Sequence, residues 1–309
     1  MESKMNADIF AEWFQSRGIQ VVRTASSYWV NLGKRVYQAF PYHWLIHPEK
    51  SELEELFQTY NVVGIRYSTS LTAPAGCLSY HAVHEQPSYD LDMLGKKARY
   101  DVRQGLKKCH IARISFQQLA DEGWPLLADT LERQRRTGTI TFGDWRLLCM
   151  AAAKLPGFEA WGAQVGKDLG GSALTFQMED CSYILYQQSH RKYLSAKVNN
   201  ALCFVLTQKM KMRPNVSLIH YGLHSLDAPG SVDQFKFRMG YTAKPVRQRV
   251  VFHPWLKPCI NQASHAMVRR LLRIGTGTPS LAKAEGMMRF YLEGLRPLNE
   301  QSGPKCLHN

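Results

Sequence analysis

Apolar and polar positions alternate over Phe158–Val165 and Ser172–Met178, which predicts two strands joined through Asp168-Leu169-Gly170-Gly171, a turn whose glycines supply positive φ. Cys181–Gln188 (CSYILYQQ) reads as a third strand, rich in β-formers. A polar junction, Ser189-His190-Arg191-Lys192-Tyr193, leads into Asn199–Met212. There Ala201, Leu202, Val205 and Leu206 recur at helical spacing, and Lys209, Lys211, Arg213 and Pro214 mark the end. Val216–Tyr221 is a short apolar strand, Ser231–Met239 a helix stopped by Gly240, and Val246–Phe252 the last strand. Asp227, between strand and helix, suits a turn cap.

Upstream the pattern is similar but less complete. Ala7–Ser16 is an amphipathic helix, and the aromatic-rich Val21–Tyr37 is a strand pair turning at Gly33. Ser51-Glu52-Leu53-Glu54 offers a capping box for a helix through Tyr60. Asn61–Ser68 and Cys77–Val83 read as strands, Leu91–Lys108 as a helix, Ile111–Ile114 as a strand and Gln117–Arg136 as a helix. Trp145–Lys154 runs to Pro156-Gly157, and helices at Ala263–Ile274 and Leu281–Glu293 follow Pro258 around Gly275-Thr276-Gly277. The tail from Pro297 is expected to be disordered.

The order of elements resembles the catalytic half of the GNAT acyltransferase superfamily, in particular its Fem-type branch of peptidoglycan-bridge aminoacyltransferases. The residues carrying the likeness are Lys197-Val198-Asn199-Asn200-Ala201-Leu202, Asp233-Gln234-Phe235-Lys236-Phe237-Arg238-Met239-Gly240-Tyr241 and the basic run Leu94–Lys108. The resemblance implies an α/β (α+β) fold of two GNAT-like halves. The first, 1–142, is degenerate; the second, 143–258, is complete, with a mixed, splayed central sheet; 259–309 is a helical extension.

Charge sharpens this picture. Of 39 basic and 25 acidic residues, 16 basic and only two acidic ones lie between Cys181 and Ala284, leaving 23 of each elsewhere. The whole excess of +14 falls on the half that resembles a donor site, which favours a polyanion: coenzyme A phosphates, a tRNA backbone or an anionic lipid surface. A solvated basic face is the plainer alternative. No apolar run of about 18 residues predicts a membrane span. MESKMNADIF lacks a hydrophobic signal core, and seven scattered cysteines without Cys-x-x-Cys predict reduced thiols, so a cytoplasmic protein is expected.

In the fold implied, two neighbouring parallel strands splay and an activated acyl donor enters between them. The splay is expected between Cys181–Gln188 and Val216–Tyr221, with amides at the start of the next helix holding donor phosphates. That assigns donor binding to Gln188, Ser189, His190, Arg191, Lys192, Asn199, Asn200 and Lys236. The superfamily often carries a glycine-rich loop here, and this chain has none, so acyl-CoA would be gripped by Arg191 and Lys192 unless the donor is an aminoacyl-tRNA. Exposed loop side chains are the alternative for that pair. Transfer to an amine needs proton handling and stabilisation of a developing oxyanion. His220, Tyr221 and Asp233 are the catalytic candidates, although His220 and Tyr221 could equally be core residues. On its helix Phe235 is expected to face the core and Lys236 to point elsewhere.

No metal is expected. The histidine pairs His220/His224 and His81/His84 fall on or beside strands, where their spacing does not suit a shared ion. Hydrolase elbow, P-loop and dinucleotide fingerprints are missing from the sequence. Three readings remain. One is an N-acyltransferase from an acyl-CoA or acyl-carrier thioester to an amine-bearing acceptor. The second is an aminoacyl-tRNA-dependent transferase, against which stands the lack of a long helical arm. The third is a non-catalytic module binding RNA or another polyanion.

Overall fold

A computed structural model describes residues 6–136, 140–226, 230–274 and 278–307; Asp227 and the Gly275–Gly277 connector lie outside them. The chain begins with α1 (Ala7–Gln15), β1 (Val21–Arg23), β2 (Tyr28–Asn31), β3 (Val36–Phe40), α2 (Lys50–Thr59), β4 (Gly64–Thr69) and β5 (Cys77–His84). It continues through α3 (Lys96–Lys108), β6 (His110–Arg113), α4 (Phe116–Arg133), α5 (Phe142–Ala152), β7 (Phe158–Val165), β8 (Asp168–Met178) and β9 (Cys181–Ser189). The last elements are α6 (Val198–Lys211), β10 (Leu218–Leu223), α7 (Gly230–Arg238), β11 (Thr242–Phe252), α8 (Gln262–Arg273) and α9 (Pro279–Gly294). Among the described residues no helix is long and apolar enough to cross a membrane.

Two compact units emerge. One is mainly Ala82–Gly222 with the segment ending at Thr242; the other is Phe10–His81, a short piece after Gly222, and the chain from Ala243 on. These units do not follow sequential cuts at 142 and 258. Helices α4 and α5 stand with β7–β9 because their apolar residues are covered there: Leu119 and Trp145 are buried, and the Trp145 ring meets Tyr186 of β9 at 5.5 Å.

In the Ala82–Gly222 unit, β6, β7, β8 and β9 form an antiparallel meander and β10 joins β9 in parallel. Alternation along β8 assigns the two faces. Ser172 accepts from Gln188 Nε2 at 2.9 Å on the α4 side, while Ala173 packs with Val198, Ala201 and Leu202 of α6 on the other. Helix α6 is buried on both flanks, since Cys203 and Phe204 pack with Ala98 and Val102 of α3.

The expected glycine turn is corrected. The chain reverses at Gly166 (φ 63°), and Gly170 and Gly171 lie inside β8. A Cβ on Gly170 would meet Tyr193 at 3.0 Å, and one on Gly171 would meet Val198 at 2.9 Å. Their role is to let the segment after β9 lie flat on β8.

The other unit repeats the scheme in brief. β1, β2 and β3 form an antiparallel meander, α2 crosses over, and β4 pairs parallel with β3 through Val36↔Gly64, Tyr37↔Ile65 and Gln38↔Arg66. A meander, a helix and a parallel strand therefore recur in both units. Trp29, Tyr37, Leu56 and Ile65 fill the core under α2. Two expectations differ. The Ser51 capping box does not form, because α2 starts at Lys50 with Glu49 at the cap and Ser51 lies inside its first turn; Glu52 reaches across to accept from Ser26 N at 3.1 Å and from the Thr24 hydroxyl. The tail is ordered as far as it is described: buried Gln301 donates to Gly76 O at 3.1 Å and accepts from Leu78 N at 2.6 Å.

Candidate active site

Strands β9 and β10 are in register only at Leu218↔Cys181, Ile219↔Ser182 and His220↔Tyr183. Beyond these, β9 runs to Ser189 and β10 to Leu223 with no further pairing between them among the described residues. The cause is local. In the β8–β9 ladder Leu174 faces Tyr186 and Thr175 faces Ile184, so Leu185 is an inserted residue. Such a bulge bends its strand and increases the twist. It begins two residues after the last β10 pair, and β9 turns away from there. A wedge opens between the strands, as the resemblance implies.

Side chains from three elements meet at this wedge. Tyr221 of β10 donates from Oη to Gln187 Oε1 at 2.5 Å, and Gln187 Nε2 donates to the Asn199 carbonyl at 3.2 Å. The pair thus bridges β10, β9 and the first turn of α6. Burial, with a smaller contribution from the Cys203 thiol, pushes the Tyr221 phenol well above its usual pKa, so it remains a protonated donor. Lys236 of α7 sits beside it, with Nζ 5.3 Å from the Tyr221 ring centre and 2.8 Å from Asp233 Oδ1. Both charged residues are only 8% exposed. Asp233 and Lys236 of α7 are buried in line with Met239 just past its end, so Lys236 points inward, contrary to the expectation from Phe235.

Strand alternation separates other candidates. His220 is 2% exposed and its ring lies 5.4 Å from that of Tyr183, on the face opposite Tyr221. Gln188 likewise faces Ser172, away from the wedge. Ser189 is buried, its hydroxyl accepting from Asn199 Nδ2 at 2.8 Å, and Asn200 Nδ2 reaches Met239 Sδ at 3.5 Å. Gln187 is the residue that sequence reasoning missed. Parity alone could not have found it: Ile184 packs on the α6 side, counting by twos from there leads to Gln188, and the bulge at Leu185 shifts that side to Gln187.

The segment after β9 is a short 3₁₀ turn, Arg191–Ala196, anchored by carboxylates. Asp129 of α4 accepts from Arg191 N at 2.9 Å, from Arg191 Nε, and from Arg133 Nε at 2.8 Å, with His190 Nε2 3.9 Å away. Arg191 also pairs with Glu132, and Lys192 Nζ lies 3.1 Å from Asp168. The two loop cations expected at donor phosphates therefore face carboxylates here. Lys197, left-handed at φ 60°, begins α6; its carbonyl accepts from Asn200 N and Ala201 N, and its Nζ lies 3.1 Å from Asp101 of α3.

Burial opposes ionisation of Asp129, but hydrogen bonds from Arg133 and Arg191 outweigh it and hold the carboxyl below its ordinary pKa. A depressed carboxyl stabilises the fold above its unfolded pKa, and that contribution is lost as pH falls through the folded value. Asp129→Asn should cost roughly 1–2 kcal/mol at neutral pH, kept modest because Arg191 is half exposed and screened. Urea unfolding at pH about 7 and pH about 3 checks this: the gap between wild type and variant should shrink in acid. An unchanged gap would remove Asp129 as the anchor.

No family model matches the chain, and no curated protein matches it. Among solved structures, FemX aligns with a TM-score of 0.53 at 11% identity, covering 81% of this chain and 92% of that one. The C-terminal domain of a protein described as a lysylphosphatidylglycerol synthetase, from Agrobacterium fabrum, aligns with 0.52 at 10% identity, covering 78% and 87%. L-PGS from Bacillus licheniformis gives 0.50 at 12%, covering 80% and 93%. At such identities the likeness shows the fold alone: a mixed α/β arrangement like that of FemX.

Proposed function

We propose that this chain transfers an activated acyl or aminoacyl group to an amine, with the reacting carbonyl held between β9 and β10. The observation that carries the proposal is the restriction of β9–β10 pairing to three residues, with a bulge at Leu185 directly after it. Attack by an amine puts negative charge on the carbonyl oxygen, and the departing oxygen or sulfur takes up a proton. Lys236 supplies a nearly dry ammonium for the first requirement. Tyr221, kept protonated by burial, is the donor for the second, with Gln187 holding its hydroxyl in place, and the proton shed by the attacking amine restores the phenol. Asp233 positions the ammonium. His220 has no direct part in this reading, because it lies on the other face of its strand.

Two donors suit this chemistry, and one observation favours the second. An acyl-CoA thioester needs its phosphates neutralised near the loop, yet Arg191 and Lys192 are engaged by Asp129, Glu132 and Asp168. The start of α6 is also closed by its own Lys197 turn. A donor whose charge is gripped at a distance, an aminoacyl-tRNA, fits that arrangement better. Comparing thermal shifts with coenzyme A and acyl-CoA against tRNA binding across a salt series tests it. We expect no stabilisation by coenzyme A and tRNA affinity that falls steeply with salt, as counterion release requires. Saturable stabilisation by acyl-CoA returns the donor to the thioester class. Failure of both donors to yield a labelled amide product would overturn the transferase reading itself.

A further inference from the structure

Helix α8 and the 3₁₀ turn before it, Pro254–Cys259, lie outside the elements that build the wedge. Their inward sides are settled by contact. Leu256, Ile260 and Val268 pack against the cluster of Val250, Phe252, Met287 and Phe290, and His265 Nε2 lies 2.9 Å from Glu285 of α9. The helix start is locked: Asn261 Oδ1 accepts from Ser264 N at 3.0 Å, and Ser264 Oγ accepts from Asn261 N at 3.1 Å and donates to Cys259 O at 2.7 Å. What remains outside includes large apolar and basic side chains together. Met267, Ile274 and Trp255 are 64%, 64% and 61% exposed, and Arg269, Arg270 and Arg273 are exposed among them. Over residues 243–284 the chain carries eight Lys and Arg and no Asp or Glu.

We propose that this outer face docks the protein on an anionic lipid bilayer. A charged face with no acid in it attracts any polyanion, so charge alone does not choose the partner. The exposed apolar side chains do. Methionine and isoleucine at i and i+7 gain nothing from a phosphate backbone in water, whereas a bilayer interface buries them in its acyl boundary while arginines meet the headgroups. An interfacial tryptophan fits the same boundary. A rigid, capped helix presents these groups without a cost of ordering on contact. The inference is independent of donor and acceptor, because it concerns a surface in the unit that does not hold the wedge.

Sedimentation with vesicles tests it on the whole chain. Binding is expected to vesicles of phosphatidylcholine with phosphatidylglycerol and not to phosphatidylcholine alone, and high salt should release it. At about 1 kcal/mol per arginine near the surface, Arg269→Gln/Arg270→Gln/Arg273→Gln should lower partitioning on the order of a hundredfold. Trp255→Ser/Met267→Ser/Ile274→Ser should also abolish most binding, with arginines intact. Circular dichroism melts verify that these surface variants fold. No preference for anionic vesicles in the wild type overturns the proposal without any variant. So does full binding by the serine variant, which would mark a site for soluble polyanions. No turnover is measured, so failure here leaves the transferase reading untouched.

Discussion

Lys236→Met should lower turnover by about 10²–10³-fold, the usual effect of deleting one group that stabilises a developing oxyanion. The same substitution should destabilise the protein, because Asp233, only 8% exposed, loses the ammonium that stands 2.8 Å from its carboxylate. Breaking a buried pair from one side typically costs about 3–5 kcal/mol. The two effects are separable. The double variant Asp233→Asn/Lys236→Met removes the buried negative charge as well and should recover most of the stability, since buried pairs replaced together are near neutral. It should not recover activity. Urea unfolding and single-turnover assays on both variants make the measurement. Recovery of turnover along with stability would reduce Lys236 to a structural residue.

Gly105→Ala should be destabilising, although the position lies in the interior of α3. In an open helix this exchange adds up to about 1 kcal/mol of stability. Here the new Cβ would stand 2.8 Å from the Lys197 carbonyl and 2.9 Å from Ala201 Cβ. Overpacking of this kind costs roughly 1–3 kcal/mol, so the sign reverses. The strain falls on Lys197, the left-handed residue that begins α6 and places Asn199 against Gln187. Donor affinity should drop with stability. Gly143→Ala in α5 is the control: its Cβ would have only Thr141 Oγ1 within reach, at 3.8 Å, and the change should be neutral or stabilising. Denaturation midpoints of the two variants moving in the same direction would dismiss the close approach as the cause.

Much of the fold was readable because its signals are local. The apolar spacing of Ala201, Leu202 and Leu206 marked α6, and all three are fully buried. Gly33 (φ 98°) and Gly240 (φ 80°) mark chain reversals where expected. Local signals failed where a distant group competed. Glu52 crosses to Ser26 while the start of α2 goes without a side-chain cap, and Gly170 and Gly171 serve a close approach instead of a turn. Gln301 ties down a tail whose terminal position suggested disorder.

For the site, sequence alone determined the ordered series of strands and helices, the three strands before α6, the lone strand after it, and the lysine helix beyond. Those follow from periodicity, which depends on neighbours a few positions apart. Only the tertiary structure decided which side chains share the wedge. A one-residue step along a strand reverses a side chain, so Gln187 and Tyr221 meet while Gln188 and His220 face away. Whether Arg191 is available to a ligand depends on Asp129, 62 positions earlier in the chain, and no local pattern reports a partner that far off.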